Sequence, residues 1–394
     1  MRAVMVLCDR VGDLGGAERY WETVLPALAS SGARVRVLAR EVDRAAGLAF
    51  GAREVGWSDE DGTPSADAAR TVAEELRRER PDAVVTASVF DTAVLDAVRA
   101  GAARWIVRVH DHRAFCPTGD RVFPQFEAAC TAAMGGACRA ATFARGCVHG
   151  PRPSSFRRIA AREALRDRIA RADAVLVSSE HMRETAAVNG ISRARIAITP
   201  PPLPDEAYAL VLPPRSRERR LLFASRLTPR KGLRSLLGAL AHLAPAERPL
   251  LVVAGAGEAE ERAARAQASR DGIAVAWRGK LSAAELRAEI DRADAVAVPS
   301  LWPEPFGLVG IEAQARGRPA VAYDVGGISD WIRGAGIAVK RGDEAALAEA
   351  IRTVTSEPAW SRFAFAARER AEDYRLGAHA ERLIGLLQGE RKAA

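Results

Sequence analysis

The sequence predicts an α/β protein of two doubly wound domains, each a parallel sheet covered by helices on both faces. Three observations carry this. Short apolar, β-branched runs alternate with Ala/Arg/Glu/Leu stretches from end to end, the pattern of strands buried on both faces between crossover helices. At 394 residues the chain exceeds what one ordinary core holds. Finally, Pro200-Pro201-Pro202-Leu203-Pro204, with Pro213-Pro214 beyond it, fits neither a helix nor a central strand. That stretch reads as a linker near 200–217.

Strands are expected in the first half at 2–9, 34–40, 82–88, 104–110, 173–179 and 195–199. Helices at 17–31, 66–80, 156–171 and 180–189 separate them. The second half repeats the pattern, with strands near 219–225, 249–254, 273–277, 295–299, 319–323 and 336–339 and amphipathic helices after about 357. The expected division is 1–205, 206–375 and a last helix at 376–394. Residues 111–155 show little periodicity and hold four of the five cysteines, so they read as an insert in the first domain. Two such domains would leave a cleft at the C-terminal ends of their strands, where open α/β sheets bind ligands.

Composition narrows the function classes. The chain is 48% hydrophobic and 27% charged, as in soluble globular proteins, and no apolar run approaches the ~20 residues that span a bilayer. Met1–Asp9 reads as a first strand and is too short for a signal peptide. The expectation is a cytoplasmic protein with reduced cysteines. Its net charge of +8 suits an anionic ligand or an anionic membrane face. Nucleic acid is not an expected partner, because no basic stripe with interleaved aromatics occurs.

The most informative segment is Glu304-Pro305-Phe306-Gly307-Leu308-Val309-Gly310-Ile311-Glu312, which follows the strand-like run Ala295–Pro299. It reads as strand, loop and helix N-terminus, with Pro305 at the first helical position, where no N–H is needed. The amides of Phe306, Gly307 and Leu308 would then be unpaired donors facing an anion. Glu312 would lie about two turns in, roughly 10 Å along the axis. Two acceptors flanking such a turn suit hydroxyls on either side of a diphosphate. Three further segments follow predicted strands. Gly15-Gly16-Ala17-Glu18 opens a helix and lets backbone approach a ligand. Val109-His110-Asp111 closes a strand in the first half. In Ser225-Arg226-Leu227-Thr228-Pro229-Arg230-Lys231-Gly232, Arg226 and Lys231 offer a fork and a point charge to a diphosphate.

These four ordered segments resemble the motifs of retaining glycosyltransferases of family 4, which have the GT-B fold. The resemblance covers nearly the whole chain. It implies a hexosyltransferase that uses a nucleoside diphosphate sugar, needs no catalytic metal, and acts by a front-face route on an acceptor hydroxyl. The acceptor could be lipid-linked, a polysaccharide or a small natural product. It implies roles for single residues too. Arg226 and Lys231 neutralise the leaving diphosphate, with Arg230 as a substitute. Glu304 holds hydroxyls of the transferred sugar, while the amides of Phe306, Gly307, Leu308 and Val309 support sugar and phosphate. Glu312 takes the ribose hydroxyls, and the Gly15-Gly16 loop lies over the donor phosphates. His110 points at the donor sugar, although His112 lies two residues on. The Gly279-Lys280-Leu281 turn presents backbone to the base, and the last helix crosses back to the first domain. A sugar-nucleotide 2-epimerase and a non-catalytic nucleotide-sugar-binding protein are the alternatives.

Three features stand outside the resemblance. Cys116, Cys130, Cys138 and Cys147 could hold a structural zinc ion, or be independent buried thiols. Residues 152–171 carry seven arginines against two acids. Such a run either presents a solvated face, the commoner case, or touches the inner membrane face. Asp59-Glu60-Asp61 has a metal-binding spacing but reads as a surface loop.

Overall fold

The computed structural model describes residues 3–12, 16–43, 49–59, 62–124, 128–209 and 218–390. These form two compact units, one of Met1–Pro202 with Leu376–Ala394, the other of Leu203–Arg375. Gly15, Glu60, Asp61 and linker residues 210–217 lie outside the described residues.

The first unit is built on a seven-stranded sheet in the order β3-β2-β1-β4-β5-β6-β7. Its strands are β1 (Ala3–Val11), β2 (Arg34–Val42), β3 (Arg53–Glu54), β4 (Ala83–Ala87), β5 (Trp105–Arg108), β6 (Ala174–Val177) and β7 (Ile196–Ile198). All pairings are parallel, β1 lying beside β4 with Val6 opposite Val85. Alternate residues of β1 enter separate cores. Met5 and Leu7 join the cluster with Val84, Val94 and Trp105. Val4 and Val6 join the other with Trp21, Leu25 and Leu383. Leu383 belongs to the terminal helix Leu376–Gln388, which packs in this unit against Gly16–Ser30.

The second unit holds a six-stranded parallel sheet in the order β10-β9-β8-β11-β12-β13. These are β8 (Arg220–Ala224), β9 (Leu250–Ala254), β10 (Val275–Gly279), β11 (Ala295–Val298), β12 (Ala320–Tyr323) and β13 (Gly336–Val339). Leu221, Phe223 and Leu251 face one core with Leu236 and Leu347. Leu222, Val252 and Val296 face the other with Ile311 and Trp331. In both sheets strand order reverses once, between β1 and β4 and between β8 and β11, and such switch points open a crevice at the carboxyl ends.

The structure departs from the sequence reading in three places. Two further helices appear, Thr92–Gly101 and Gly136–Arg145, the second within the segment read as irregular. β3 is an added two-residue edge strand. The helix in the two-glutamate segment starts at Leu308, not Pro305. Gly307 adopts φ +95° and ends the loop, while the Phe306 carbonyl is occupied by Trp331 Nε1–H at 2.6 Å. Glu312 is therefore the fifth helical residue, a little over one turn in.

Candidate functional site

At the switch point of the second sheet, the loops after β8 and β11 bring Lys231 and Glu304 together across 73 positions of sequence. Lys231 Nζ lies 2.5 Å from Glu304 Oε1, and Ser300 Oγ–H donates to the same oxygen at 2.6 Å. The Glu304 side chain is buried. Burial pushes its pKa up, but the Lys231 charge and hydrogen bonds from Lys231, Ser300 and Trp302 outweigh it. The carboxyl ends below its ordinary value and is ionised. Behind the pair stands the Trp302 ring, with the Lys231 ammonium 5.3 Å and the Arg230 guanidinium 4.8 Å from its centroid. Cations over an indole face gain from its quadrupole.

Local backbone fixes this arrangement. The turn Pro229–Lys231 ends at Gly232, with φ +75°, and a Cβ there would stand 1.9 Å from the Pro299 carbonyl oxygen. Only glycine permits that approach. Leu301 N–H donates to Arg230 O at 2.8 Å, and Gly327 N–H to Glu304 O at 2.7 Å, which ties the Glu304 backbone to the loop after β12. Arg226 is exposed on the β8 loop, and among the described residues it has no ion-pair partner. Leu227 N–H next to it donates to Ala256 O at 2.8 Å.

The loop Gly255-Ala256-Gly257 after β9 escaped the sequence reading. A Cβ on Gly255 or Gly257 would fall 1.8 or 2.0 Å from the carbonyl oxygens of Ser225 and Leu227, so this loop braces the Arg226 segment from behind. Two glycines directly after a predicted strand were the available signal. Ser300 and Trp302 also escaped it, because a serine and a tryptophan announce no role without their partners.

The other donor-side residues expected in this unit follow β11 and β10. Phe306 is buried, packing edge-on to Tyr374 at 5.7 Å. Gly307, Leu308 and Val309 are half-buried, and no side chain caps the helix that Leu308 opens. Its first amides remain available to an anion. Glu312 is half-buried on that helix. Lys280 is exposed after β10, at the sheet edge, and Gly279 O there accepts from Gly255 N–H at 2.7 Å.

In the first unit, His110 lies just beyond β5, its ring edge-on to Tyr20 at 5.1 Å and to Trp21 at 6.3 Å. Its Nε2 is shielded from solvent, with no hydrogen-bond partner among the described residues. Burial, then the Arg108 and Arg113 charges, push its pKa well down, so the ring is neutral. Arg108 is itself buried, 4.5 Å over the Tyr20 ring, with Nη1 donating to Thr199 O at 2.6 Å. Gly16 opens the helix Gly16–Ser30 that carries Tyr20 and Trp21. His112 is fully buried and edge-on to His181, which leaves His110 as the histidine at the strand end.

The four insert cysteines are half-buried free thiols. Cys116 Sγ accepts Arg121 N–H at 3.4 Å, and burial, with the neighbouring cysteines, pushes Cys147 up to about 11. Among the described residues no three His, Cys, Asp or Glu side chains are placed to hold a metal ion. Nor is any described helix long and apolar enough to cross a membrane.

Comparison with known proteins identifies relatives of both units. Residues 14–207 match the family described as Glycosyltransferase Family 4, and residues 207–374 match Glycosyl transferases group 1. Glycogen synthase of Mycobacterium tuberculosis is 36% identical over 162 residues, 40% of this chain and 39% of that protein. D-inositol 3-phosphate glycosyltransferase of Stackebrandtia nassauensis is 31% identical over 258 residues, 59% of this chain and 57% of that protein. The matches thus span well under two thirds of these relatives' lengths. Among solved structures, Anabaena HepE in complex with UDP aligns with a TM-score of 0.73 at 17% identity, covering 99% of this chain and 100% of that one. Its complex with UDP-glucose gives 0.71 at 16%, covering 98% of this chain and 99% of that one.

Proposed function

The chain belongs to the family 4 glycosyltransferases and has their GT-B fold, and we propose that it moves a hexose-type sugar from a nucleoside diphosphate sugar to an acceptor hydroxyl with retention of configuration. The observation that carries this reading is the Lys231–Glu304 pair at the β8/β11 switch point, beside exposed Arg226 and an uncapped helix N-terminus. The UDP and UDP-glucose complexes of the similarly folded Anabaena protein support a nucleotide-sugar donor.

In this reading the diphosphate takes Lys231, Arg226 and the amides of Leu308 and Val309, while Glu304 turns to hydroxyls of the sugar. Glu312 accepts from the ribose, and the Lys280 turn meets the base. The acceptor oxygen bonds to the anomeric carbon on the face from which the diphosphate departs, and a diphosphate oxygen takes the acceptor's proton. No protein nucleophile and no catalytic cofactor is needed. Two cations and a helix end stabilise the charge that develops on the leaving group. We propose that His110, neutral because of its burial, acts toward the donor sugar without adding charge. The acceptor is a lipid-linked, polysaccharide or small natural-product hydroxyl.

The test is incubation with nucleotide sugars of several bases and hexoses, each with a panel of hydroxyl acceptors. Product and its anomeric configuration are read by NMR. Acceptor-dependent release of nucleoside diphosphate with retained configuration is expected, and Glu304→Gln should lower kcat/KM by roughly 10²–10³-fold. Conversion of a nucleotide sugar into its 2-epimer, or tight donor binding with no product on any acceptor, would contradict it.

A further inference from the structure

Residues 128–162 contain six arginines and no aspartate, glutamate or lysine, in a chain whose whole net charge is +8. They form most of a helical hairpin in the first unit, Gly136–Arg145 and the start of Arg152–Ile169, joined at 146–151. Arg139 forms a bidentate pair with Glu163 on the second helix, at 3.0 and 2.5 Å. Arg162 is buried over the Phe90 ring. Arg145, Arg152 and Arg157 are exposed around the hairpin tip, Arg145 with its guanidinium 4.7 Å over the Phe123 ring, together with Phe143 and Phe156, 66% and 36% exposed. The Arg152 guanidinium lies 4.3 Å over the Phe143 ring, so the two helices present one mixed patch.

Folding alone does not favour this placement. A helix N-terminus carries partial positive charge, and an arginine in its first turn opposes it. Arg152–Ile169 has no acid in its first turn and no side chain capping it, yet Arg152 sits there. An anionic partner reverses the sign, because phosphate is attracted by both the arginines and the helix end. Two exposed phenylalanines among the cations further select the partner, since a dissolved polyanion needs only charge. An interfacial helix instead combines basic residues with rings that enter the headgroup boundary.

We propose that this hairpin tip docks on an anionic lipid bilayer, with Phe143 and Phe156 at the headgroup boundary and Arg145, Arg152 and Arg157 on lipid phosphates. The full chain should co-sediment with vesicles of phosphatidylcholine and phosphatidylglycerol at low salt. It should leave them as ionic strength rises, and ignore vesicles of phosphatidylcholine alone. Arg145→Gln/Arg152→Gln/Arg157→Gln should lower the partition coefficient roughly a hundred-fold. Phe143→Ala/Phe156→Ala should lower it at least ten-fold with all charges kept. All these positions are exposed, so both variants should melt as the wild type does, and either single phenylalanine variant serves if the double one does not fold. Vesicle binding unchanged in both variants would overturn the proposal. So would binding that needs the arginines but not the phenylalanines and is matched by heparin in solution, which would assign the patch to a dissolved polyanion.

Discussion

Lys231 and Glu304 were each legible as single residues, but not as a pair. A lysine after one strand and a glutamate after another are separated by 73 positions, and only the parallel sheet makes β8 and β11 neighbours. Pro305 misled, because its fixed φ suits a helix start while Gly307 two residues on sets the actual one. His379 was invisible as anything but a helical residue. In the fold it is buried, its Nε2 3.0 Å from the Tyr20 hydroxyl. Burial, then the Arg108 charge, push it down to about 3. A histidine depressed in the folded state contributes stability that is complete above its ordinary pKa and is lost as pH falls. The window therefore runs from about 6.5 down to about 3. At pH 5 the wild type should have lost roughly 2 kcal/mol through this residue. Urea unfolding of His379→Gln at pH 7 and pH 5 should show a correspondingly smaller difference between the two, and an unchanged difference would refute the assignment.

At the scale of elements, most strands were readable because buried parallel strands are continuous apolar runs. The helix Gly136–Arg145 was not. It starts on glycine, has no side-chain cap and buries only Thr142, so it shows no apolar stripe in sequence. The two-residue β3 is too short for any periodicity. Glycine placement decides the loops that carry the site. Gly232→Ala would drive a Cβ against the Pro299 carbonyl at a φ of +75°. Gly342→Ala, at φ +78° with nothing within 4 Å, is the matched control for backbone strain alone. The control should cost roughly 1–2 kcal/mol. Gly232→Ala should cost clearly more and also weaken nucleotide binding, because it moves Lys231. Equal losses in urea unfolding would show that the contact with Pro299 is unimportant.

For the molecule as a whole, composition and alternation gave the fold class, and four ordered motifs gave the family. What they left unread is how each sheet assembles its strand ends. In the second unit the β8 loop supplies the cations, the β9 loop braces them, the β11 loop supplies the carboxylate and the following helix supplies free amides. Each part is unremarkable alone, and their convergence at one switch point is what we propose as the anion site. The most direct measurement is isothermal titration of nucleoside diphosphates against the wild type, Arg226→Ala and Lys231→Ala, with a melting curve for each. The account predicts binding of at least one nucleoside diphosphate without added divalent metal, weakened at least ten-fold by either substitution in a folded protein. Undiminished affinity in both folded variants would contradict it and move the donor site elsewhere.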